Sequence, residues 1–245
     1  MTRDYQDHRL QLYLTPDHPC SYLDERLART LVIDPDADKS PQLYQQLIEM
    51  GFRRSGEMIY RPDCESCSDC ISTRIPVAEF KPKRSQQRAW NRNRNNFRIV
   101  ERDAEFDPAH FELFRRYIGT RHPDGEMSDT SEEGYRSFLT APWCDTRFIE
   151  FHLDEQLVAV AVTDLLPLGL SAVYTFFDPD YSGISPGVFS ILWQVESAKQ
   201  RGLPWLYLGY WVPGCRKMAY KTEYRPIQLF KQGKWRPFKA AEPSL

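Results

Sequence analysis

The segment RFIEFHLDEQLVAVAVTDLLPLGLSAVYTFFD, residues 147–178, decides the fold of this chain. It contains three runs of apolar and β-branched residues, at 147–153, 157–166 and 170–178, and turn-forming residues separate them. Apolar runs of this length with short turns between them are typical of strands. The segment therefore predicts an antiparallel meander of three strands.

A helix and a fourth strand follow the meander. Ser185 and Pro186 are suited to begin a helix, an apolar stripe runs through its middle, and Gly202 follows its end. The next apolar run, 205–210, predicts a strand beside the third one, because a helix links the two as a crossover. The end of a strand that leads into a helix N-terminus is where α/β sheets bind ligands, and the free N–H groups there favour anions.

The stretch GYWVPGCRKMAYKTEYRP, residues 209–226, comes directly after the fourth strand. Its glycines and proline predict a shaped loop, and it combines aromatic with basic side chains. Such a loop suits an anionic and partly planar ligand, such as the end of a nucleic acid. The alternative is an amphipathic strand end with solvated lysines.

The first hundred residues have a different character. Ser40, Pro41 and Gly51 bound a predicted helix, and residues 51–77 predict a hairpin with a cysteine-rich connection. A basic helix and linker then occupy residues 81–99. We expect an α/β (α+β) protein in which a smaller N-terminal α+β domain, residues 1–100, precedes a second domain, residues 101–245.

Charge is distributed unevenly along the chain. The formal net charge is −2, yet residues 81–98 and 209–236 are both rich in Lys and Arg and poor in acidic residues. Arg84, Arg88 and Arg92 would share one face of the basic helix. Two basic stretches in a nearly neutral protein indicate a polyanion partner, although the arginines are also compatible with a solvated helix face.

Three of the six cysteines form a CxxCxxC pattern. Cys64, Cys67 and Cys70 can converge on one ion or cluster, and Cys20 is a candidate fourth ligand. The alternative is that they are free thiols in a turn.

Several classes of protein have no support in the sequence. No apolar run approaches the ~18 residues of a membrane span, and the charged N-terminus does not resemble a secretory signal. We therefore expect no membrane partner, a cytoplasmic location and reduced cysteines. The chain lacks GxSxG, Walker, GxGxxG and HExxH motifs. Their absence favours direct transfer from a donor that is already activated.

The chain resembles a known family in several long motifs. These are HPCSYL (18–23), GFRRSG (51–56), YRPDCESCSDC (60–70) with STRIPV (72–77), DPDYSGISPGVFSI (178–191) and LGYWVPGCRKMAYKTEYRP (208–226). Together they resemble the bacterial aspartate/glutamate leucyltransferases, relatives of the eukaryotic arginyl-tRNA–protein transferases, over roughly residues 10–235.

The resemblance implies a fold similar to the GNAT acyltransferases in the second half. It also implies transfer of leucine from leucyl-tRNA to the α-amine of proteins beginning with Asp or Glu, which marks them for degradation through the N-degron pathway. Its partners would be leucyl-tRNA and those proteins, and it leaves the oligomeric state open. The donor ester is already activated, so transfer requires no cofactor.

The resemblance and the chemistry together nominate three groups of residues. The candidate catalytic residues, for proton removal and for stabilising an oxyanion, are Tyr174, Asp178, Tyr220 and Lys221. The candidate tRNA-binding residues are Arg84, Arg88, Trp90, Arg92 and Lys217. The candidate residues that recognise an N-terminal Asp or Glu are Arg53, Arg54 and Arg74.

The cysteines depart from the pattern of the eukaryotic relatives, which bind an iron–sulfur cluster. Cys20 matches the first cysteine of their CxxC motif, but Leu23 stands at the second, and CESCSDC replaces a pair of adjacent cysteines. An iron–sulfur cluster, zinc or no metal at Cys20, Cys64, Cys67 and Cys70 all remain open.

Three alternative functions also remain open. They are arginyl transfer, a non-catalytic RNA-binding module and coenzyme A-dependent N-acetylation. The last is disfavoured because the stretch that precedes the helix, residues 181–187, lacks the basic residue of a pyrophosphate-binding loop.

Overall fold

The computed structural model describes residues 10–121 and 130–239. Its helices are α1 (Pro41–Glu49), α2 (Arg84–Asn93), α3 (Pro108–Arg121), α4 (Glu132–Leu139) and α5 (Pro186–Gln200). Its first seven strands are β1 (Leu12–Leu14), β2 (His18–Pro19), β3 (Leu27–Ala28), β4 (Thr30–Ile33), β5 (Arg53–Ser55), β6 (Met58–Pro62) and β7 (Ile71–Pro76). The others are β8 (Phe97–Asp103), β9 (Asp145–Leu153), β10 (Gln156–Leu166), β11 (Gly169–Phe177), β12 (Trp205–Trp211), β13 (Gln228–Lys231) and β14 (Lys234–Pro237).

An eight-stranded sheet, in the order β14-β13-β7-β12-β11-β10-β9-β8, forms the centre of the molecule. The predicted meander is confirmed, because β9, β10 and β11 pair antiparallel, with Val160 opposite both Glu150 and Phe176. Alternate residues of these strands face opposite sides, as strand geometry requires. Phe148 contacts the apolar cluster of α3 and α4, whereas Ile149 belongs to the cluster that contains Phe189 of α5.

The strands β11 and β12 run parallel but separate after three residue pairs. Residues 169–171 pair with 205–207, and no further pairing between these two strands occurs in the described part of the chain. A register shift between Val162 and Thr163 leaves Val173 unpaired in the β10–β11 ladder, two residues beyond Ser171. A meander, a crossover helix and a parallel strand that diverges confirm the predicted acyltransferase-like α/β fold. We call the space between the unpaired ends of β11 and β12 the cleft.

The first half of the chain contributes a strand to this sheet, which the sequence did not predict. β7 lies between β13 and β12, and Arg74 is opposite both Tyr207 and Gln228. The predicted hairpin across the cysteines is therefore wrong, because β6 belongs to a separate sheet, β1-β4-β6-β5, and pairs with β5 instead. The boundary predicted near residue 100 falls inside β8 and does not coincide with a break between sheets.

Two further features complete the fold. The hairpin β13–β14, absent from the sequence prediction, extends the large sheet beyond β7. The predicted start of α1 is confirmed at Ser40, which accepts a hydrogen bond from the Leu43 amide. Asp107 accepts one from the Ala109 amide at the start of α3. None of the described helices is both long and apolar enough to cross a membrane.

Candidate active site

A 3-10 helix of eight residues, Arg216–Glu223, lies beside the diverging end of β12. It carries Tyr220 and Lys221, two of the predicted catalytic residues. Tyr220 remains about half exposed, whereas Lys221 is buried. The helix therefore brings one phenol and one amine to the cleft between β11 and β12.

The amine of Lys221 is held against the backbone of β12. Its Nζ donates a hydrogen bond to the Tyr210 carbonyl at 2.5 Å. Gly209 has a positive φ of +77°, and a Cβ at this position would lie 3.5 Å from Nζ. Burial, and to a lesser extent the charge of Arg53, lower the pKa of Lys221 to about 7. A lysine in this state is available as a neutral base near neutral pH.

Three tyrosines from separate elements face the same region. The rings of Tyr117 on α3 and Tyr174 on β11 have centroids 6.4 Å apart, and Tyr220 lies within electrostatic range of both. Burial raises the pKa of Tyr174 above its ordinary value, and burial of the Tyr220 hydroxyl raises its pKa to about 12. The phenols therefore stay protonated and can donate hydrogen bonds across the physiological pH range.

Asp178 stands at the end of β11, and its buried carboxylate pairs with a partly exposed arginine. Arg116 of α3 donates to both of its carboxylate oxygens, at 2.9 and 3.0 Å. The Asp180 amide and the Gln156 side chain donate to it at 3.1 and 3.4 Å. Because both oxygens are already engaged, these contacts support a role in holding α3 and the following turn, and they do not favour the predicted proton removal.

The predicted tRNA-binding residues lie on α2 and on the 3-10 helix. Arg84, Arg88 and Arg92 are exposed on α2, and Lys217 is exposed on the 3-10 helix. Trp90 is half-buried and stacks on Phe189, with centroids 5.3 Å apart.

An ion pair joins these two basic stretches. Lys83, at the start of α2, pairs with Glu223 at the end of the 3-10 helix. Gln86 also donates to the Glu223 carbonyl at 3.2 Å. The basic helix and the loop after β12 therefore form a continuous surface beside the cleft.

Arg54, predicted to recognise an acidic N-terminus, is sealed inside the protein. Its guanidinium forms a bidentate pair with Asp164, at 2.5 and 2.7 Å, and neither side chain has any exposed surface. It also donates to Thr146 and to the Leu139 carbonyl. A substrate could reach Arg54 only by displacing Asp164, so its contacts support a structural role.

Arg53 and Arg74 are buried as well. Arg74 lies between the rings of Trp205 and Trp235, at 3.6 and 4.3 Å, and pairs with both oxygens of Glu49. Arg53 donates to three backbone carbonyls. The motifs that contain these arginines build the interface between β5, β7 and β12, and neither arginine offers an open cationic site.

The four predicted metal ligands line a common cavity of about 160 Å³. Cys20, Cys64, Cys67 and Cys70 come from two loops, before β3 and between β6 and β7. Burial, together with the other three cysteines, raises the pKa of Cys70 to about 12. A bound cation would reverse this repulsion and stabilise the thiolates.

The sulfur atoms do not form a compact set of ligands. Within residues 10–121 and 130–239, the group whose ligand atoms all lie within 4.8 Å of one another is Asp107, His110 and Glu150. The donor types fit zinc or an iron–sulfur cluster, and a cluster separates its thiolates more widely than a single ion does.

Sequence reasoning missed four side chains at these sites. Arg116 and Tyr117 lie in α3, where the apolar stripe was the dominant signal. Arg26 and Arg29 line the cysteine cavity, and their position shortly after Cys20 was the available clue. No local motif indicated that these residues would meet β11 or the CxxCxxC segment.

Comparisons with known proteins agree with this arrangement. The model of the N terminus of the arginine-tRNA-protein transferases matches residues 18–88, and that of their C terminus matches residues 109–231. The aspartate/glutamate leucyltransferase of Hahella chejuensis is 51% identical over 92% of this chain and 96% of its own length. The enzymes of the same name from Pseudomonas aeruginosa and Nitrosococcus oceani are 49% and 48% identical, over 93% and 91% of this chain and 96% and 94% of theirs.

Similarity to solved structures is weaker. A DUF2156 domain assigned to a lysylphosphatidylglycerol synthetase of Agrobacterium fabrum aligns with 81% of this chain and 63% of its own, at 12% identity and a TM-score of 0.49. A likeness of this extent carries no information on function. The two family matches and the level of identity are informative. They show that this chain belongs to the arginine-tRNA-protein transferase family.

Proposed function

We propose that this protein transfers leucine from leucyl-tRNA to the α-amine of proteins that begin with Asp or Glu. The observation that carries the proposal is the buried Lys221 amine, with a pKa of about 7, at the cleft where β11 and β12 diverge. The names of the relatives at about 50% identity support the choice of donor and acceptor. The product would carry an N-terminal leucine and enter the N-degron pathway, and we expect the enzyme to act in the cytoplasm.

Lys221 acts as the general base in this account. The acceptor α-amine has an ordinary pKa of about 8, so a base near pH 7 is matched to its proton. Neutral Lys221 takes that proton as the amine attacks the ester carbonyl of leucyl-tRNA. The protonated Lys221 then returns it to the ribose oxygen as the ester bond breaks. The new amide and a free tRNA hydroxyl are the products, so protons and atoms balance.

Tyrosine hydroxyls stabilise the tetrahedral intermediate. Tyr220 and Tyr174 remain protonated because burial raises the pKa of both. A donor placed at the developing oxyanion typically contributes about 10²- to 10³-fold in rate. Asp178 supports this group indirectly, since it fixes Arg116 next to Tyr117 in α3.

The acceptor end of the tRNA would lie along the surface formed by α2 and the 3-10 helix. Arg84, Arg88, Arg92 and Lys217 are exposed there and can neutralise phosphates. Trp90 lines an open groove with Trp193 and Arg94, which suits stacking of an unpaired base. The groove follows α5 from Phe189 to Gln200. Arg92 donates to the Gly183 carbonyl at 3.0 Å, which holds α2 against the segment before α5.

No cofactor takes part in the transfer itself. Cys20, Cys64, Cys67 and Cys70 would hold zinc or an iron–sulfur cluster, which would tie the two loops of the cavity together. Metal analysis of protein purified anaerobically, with Cys64→Ser and Cys67→Ser as controls, tests this part. One zinc, or an iron–sulfur spectrum, lost in both variants would support it, and metal-free protein of normal stability would contradict it.

A transfer assay with pure protein tests the proposal as a whole. It combines labelled leucyl-tRNA or arginyl-tRNA with peptides that begin with Asp, Glu, Lys or Ala. We expect label on the Asp and Glu peptides from leucyl-tRNA alone. Transfer from arginyl-tRNA alone would show that arginyl-tRNA is the donor. Binding of tRNA without any transfer would favour a non-catalytic RNA-binding module.

A further inference from the structure

The side chain that recognises the acceptor must be sought elsewhere, because Arg53, Arg54 and Arg74 are buried and engaged. An acidic N-terminal residue requires an accessible cation, and Arg is the residue best suited to a carboxylate. That cation must also lie close enough to Lys221 for one residue to reach both. The cysteine cavity meets these conditions.

Two arginines of this cavity are incompletely satisfied. The Nε of Arg29 is buried and makes no hydrogen bond within the described residues, and the nearest carboxylates, Asp17 and Glu65, lie at 3.7 and 3.8 Å. Arg26 is 3.4 Å from Asp69 and 3.5 Å from the Cys67 sulfur. These contacts are long for charge-assisted hydrogen bonds, which are typically about 2.7–2.9 Å, so a substrate carboxylate can compete for both guanidinium groups.

The remaining wall of the cavity is suited to a small acidic side chain. Tyr22 and Tyr60 line it, and a phenol hydroxyl can donate a hydrogen bond to a carboxylate. Leu23 and Leu27 supply apolar surface. These groups suit a carboxylate on a short side chain.

The cavity is also close to the proposed base. Val212 lines it and stands two residues after Tyr210, whose carbonyl accepts the hydrogen bond from Lys221. Tyr22, which also lines the cavity, lies within electrostatic range of Tyr210. Cys215 lies within electrostatic range of both Tyr22 and Lys221, so the cavity and the lysine amine share this neighbour.

We propose that this cavity binds the acidic side chain of the acceptor's first residue, and that Arg26 and Arg29 supply the charge that selects it. The α-amine of that residue then points towards Lys221. This inference rests on the proposed leucyl transfer and names the specificity-determining residues of the same reaction. The cysteine loops would form one wall of the pocket and hold the arginines in place.

The test compares peptides that begin with Asp and with Asn, which differ in charge and hardly in shape. The variants are Arg29→Ala and Arg26→Gln, with Arg136→Ala as a control, because Arg136 is an exposed arginine on α4. Peptide affinity is measured by fluorescence anisotropy without tRNA, and kcat and KM by transfer from leucyl-tRNA. We expect KM for the Asp peptide to rise about 10- to 100-fold, with kcat much less affected, and the preference for Asp over Asn to fall equally.

The outcomes separate this inference from the proposed function. Wild-type protein that moves no leucine to Asp peptides would overturn both. Wild-type transfer with an unchanged Asp-to-Asn preference in both variants would overturn the cavity alone. Should Arg29→Ala unfold, Arg26→Gln decides the question, since Arg26 is half exposed and its loss leaves no buried charge. Restoration of the preference by Arg26→Lys, relative to Arg26→Gln, would confirm that charge selects the substrate.

Discussion

Lys221 donates a hydrogen bond from its Nζ to the carbonyl oxygen of Tyr210 at 2.5 Å, at the point where β12 has separated from β11. This contact fixes the direction of a buried amine that has no carboxylate hydrogen-bonded to it in the described part of the chain. Burial without a compensating charge lowers the pKa of Lys221 to about 7. The fold therefore produces a base in the same place where it opens a cleft.

The pH dependence of transfer follows from this lysine. Because the neutral amine is the active form, kcat should rise as pH increases through about 7 and then level off. Lys221→Ala should lower kcat by about 10²- to 10⁴-fold and remove that inflection. Single-turnover rates at saturating peptide between pH 5.5 and 9 measure this pH profile for the wild-type protein and the variant. An unchanged profile in the variant would assign the inflection to another group.

Removal of the tyrosine hydroxyls should affect the chemical step. Tyr220→Phe and Tyr174→Phe each keep the ring and delete one donor, so we expect kcat to fall by about 10- to 10³-fold while the affinity for tRNA persists. Tyr13→Phe, which alters an exposed ring on β1, is the control. Equal rates in all three variants would exclude the phenols from the oxyanion site.

The basic helix should contribute salt-dependent binding of tRNA. Arg84→Ala, Arg88→Ala and Arg92→Ala should each raise KM for leucyl-tRNA and reduce the slope of log Kd against log salt by about 0.7 to 0.9. The rate at saturating tRNA should change little. Arg201→Ala, which removes an exposed arginine paired with Glu101, is a matched control. Identical salt slopes in all variants would mean that α2 is only a solvated face.

The buried pair of Arg54 and Asp164 should act on stability. Arg54→Ala leaves a carboxylate without its partner, and such changes cost about 3–5 kcal/mol. Replacing both residues by apolar ones of similar volume should cost less than either single change. Urea unfolding measures the free energy of unfolding of the single and double variants. The preference for acidic N-termini in any folded variant shows whether Arg54 also contacts substrate.

Local patterns predicted the local elements well. The cap at Ser40, the stripe of α5 and the three strands of the meander depend on neighbouring residues, and the structure contains all of them. Lys221 and Tyr220 were identified because the motif around them is long and specific.

Long-range pairings escaped prediction. The strand β7 joins the sheet through β12, which lies more than a hundred residues later, and nothing in its own sequence indicates that partner. The same holds for Arg54, whose partner Asp164 is 110 residues away. The motif therefore indicated that these arginines are important, but it could not predict that they are buried. Arg26 and Arg29 became visible only when the cavity placed them beside the cysteines.

The most direct test of the account is mass analysis of a peptide that begins with Asp after a single turnover with leucyl-tRNA. Wild-type protein should add one leucine to the α-amine at neutral pH, and Lys221→Ala should add almost none in the same time. A peptide left unmodified by the wild-type protein, or modified equally fast by Lys221→Ala, would contradict the central claim.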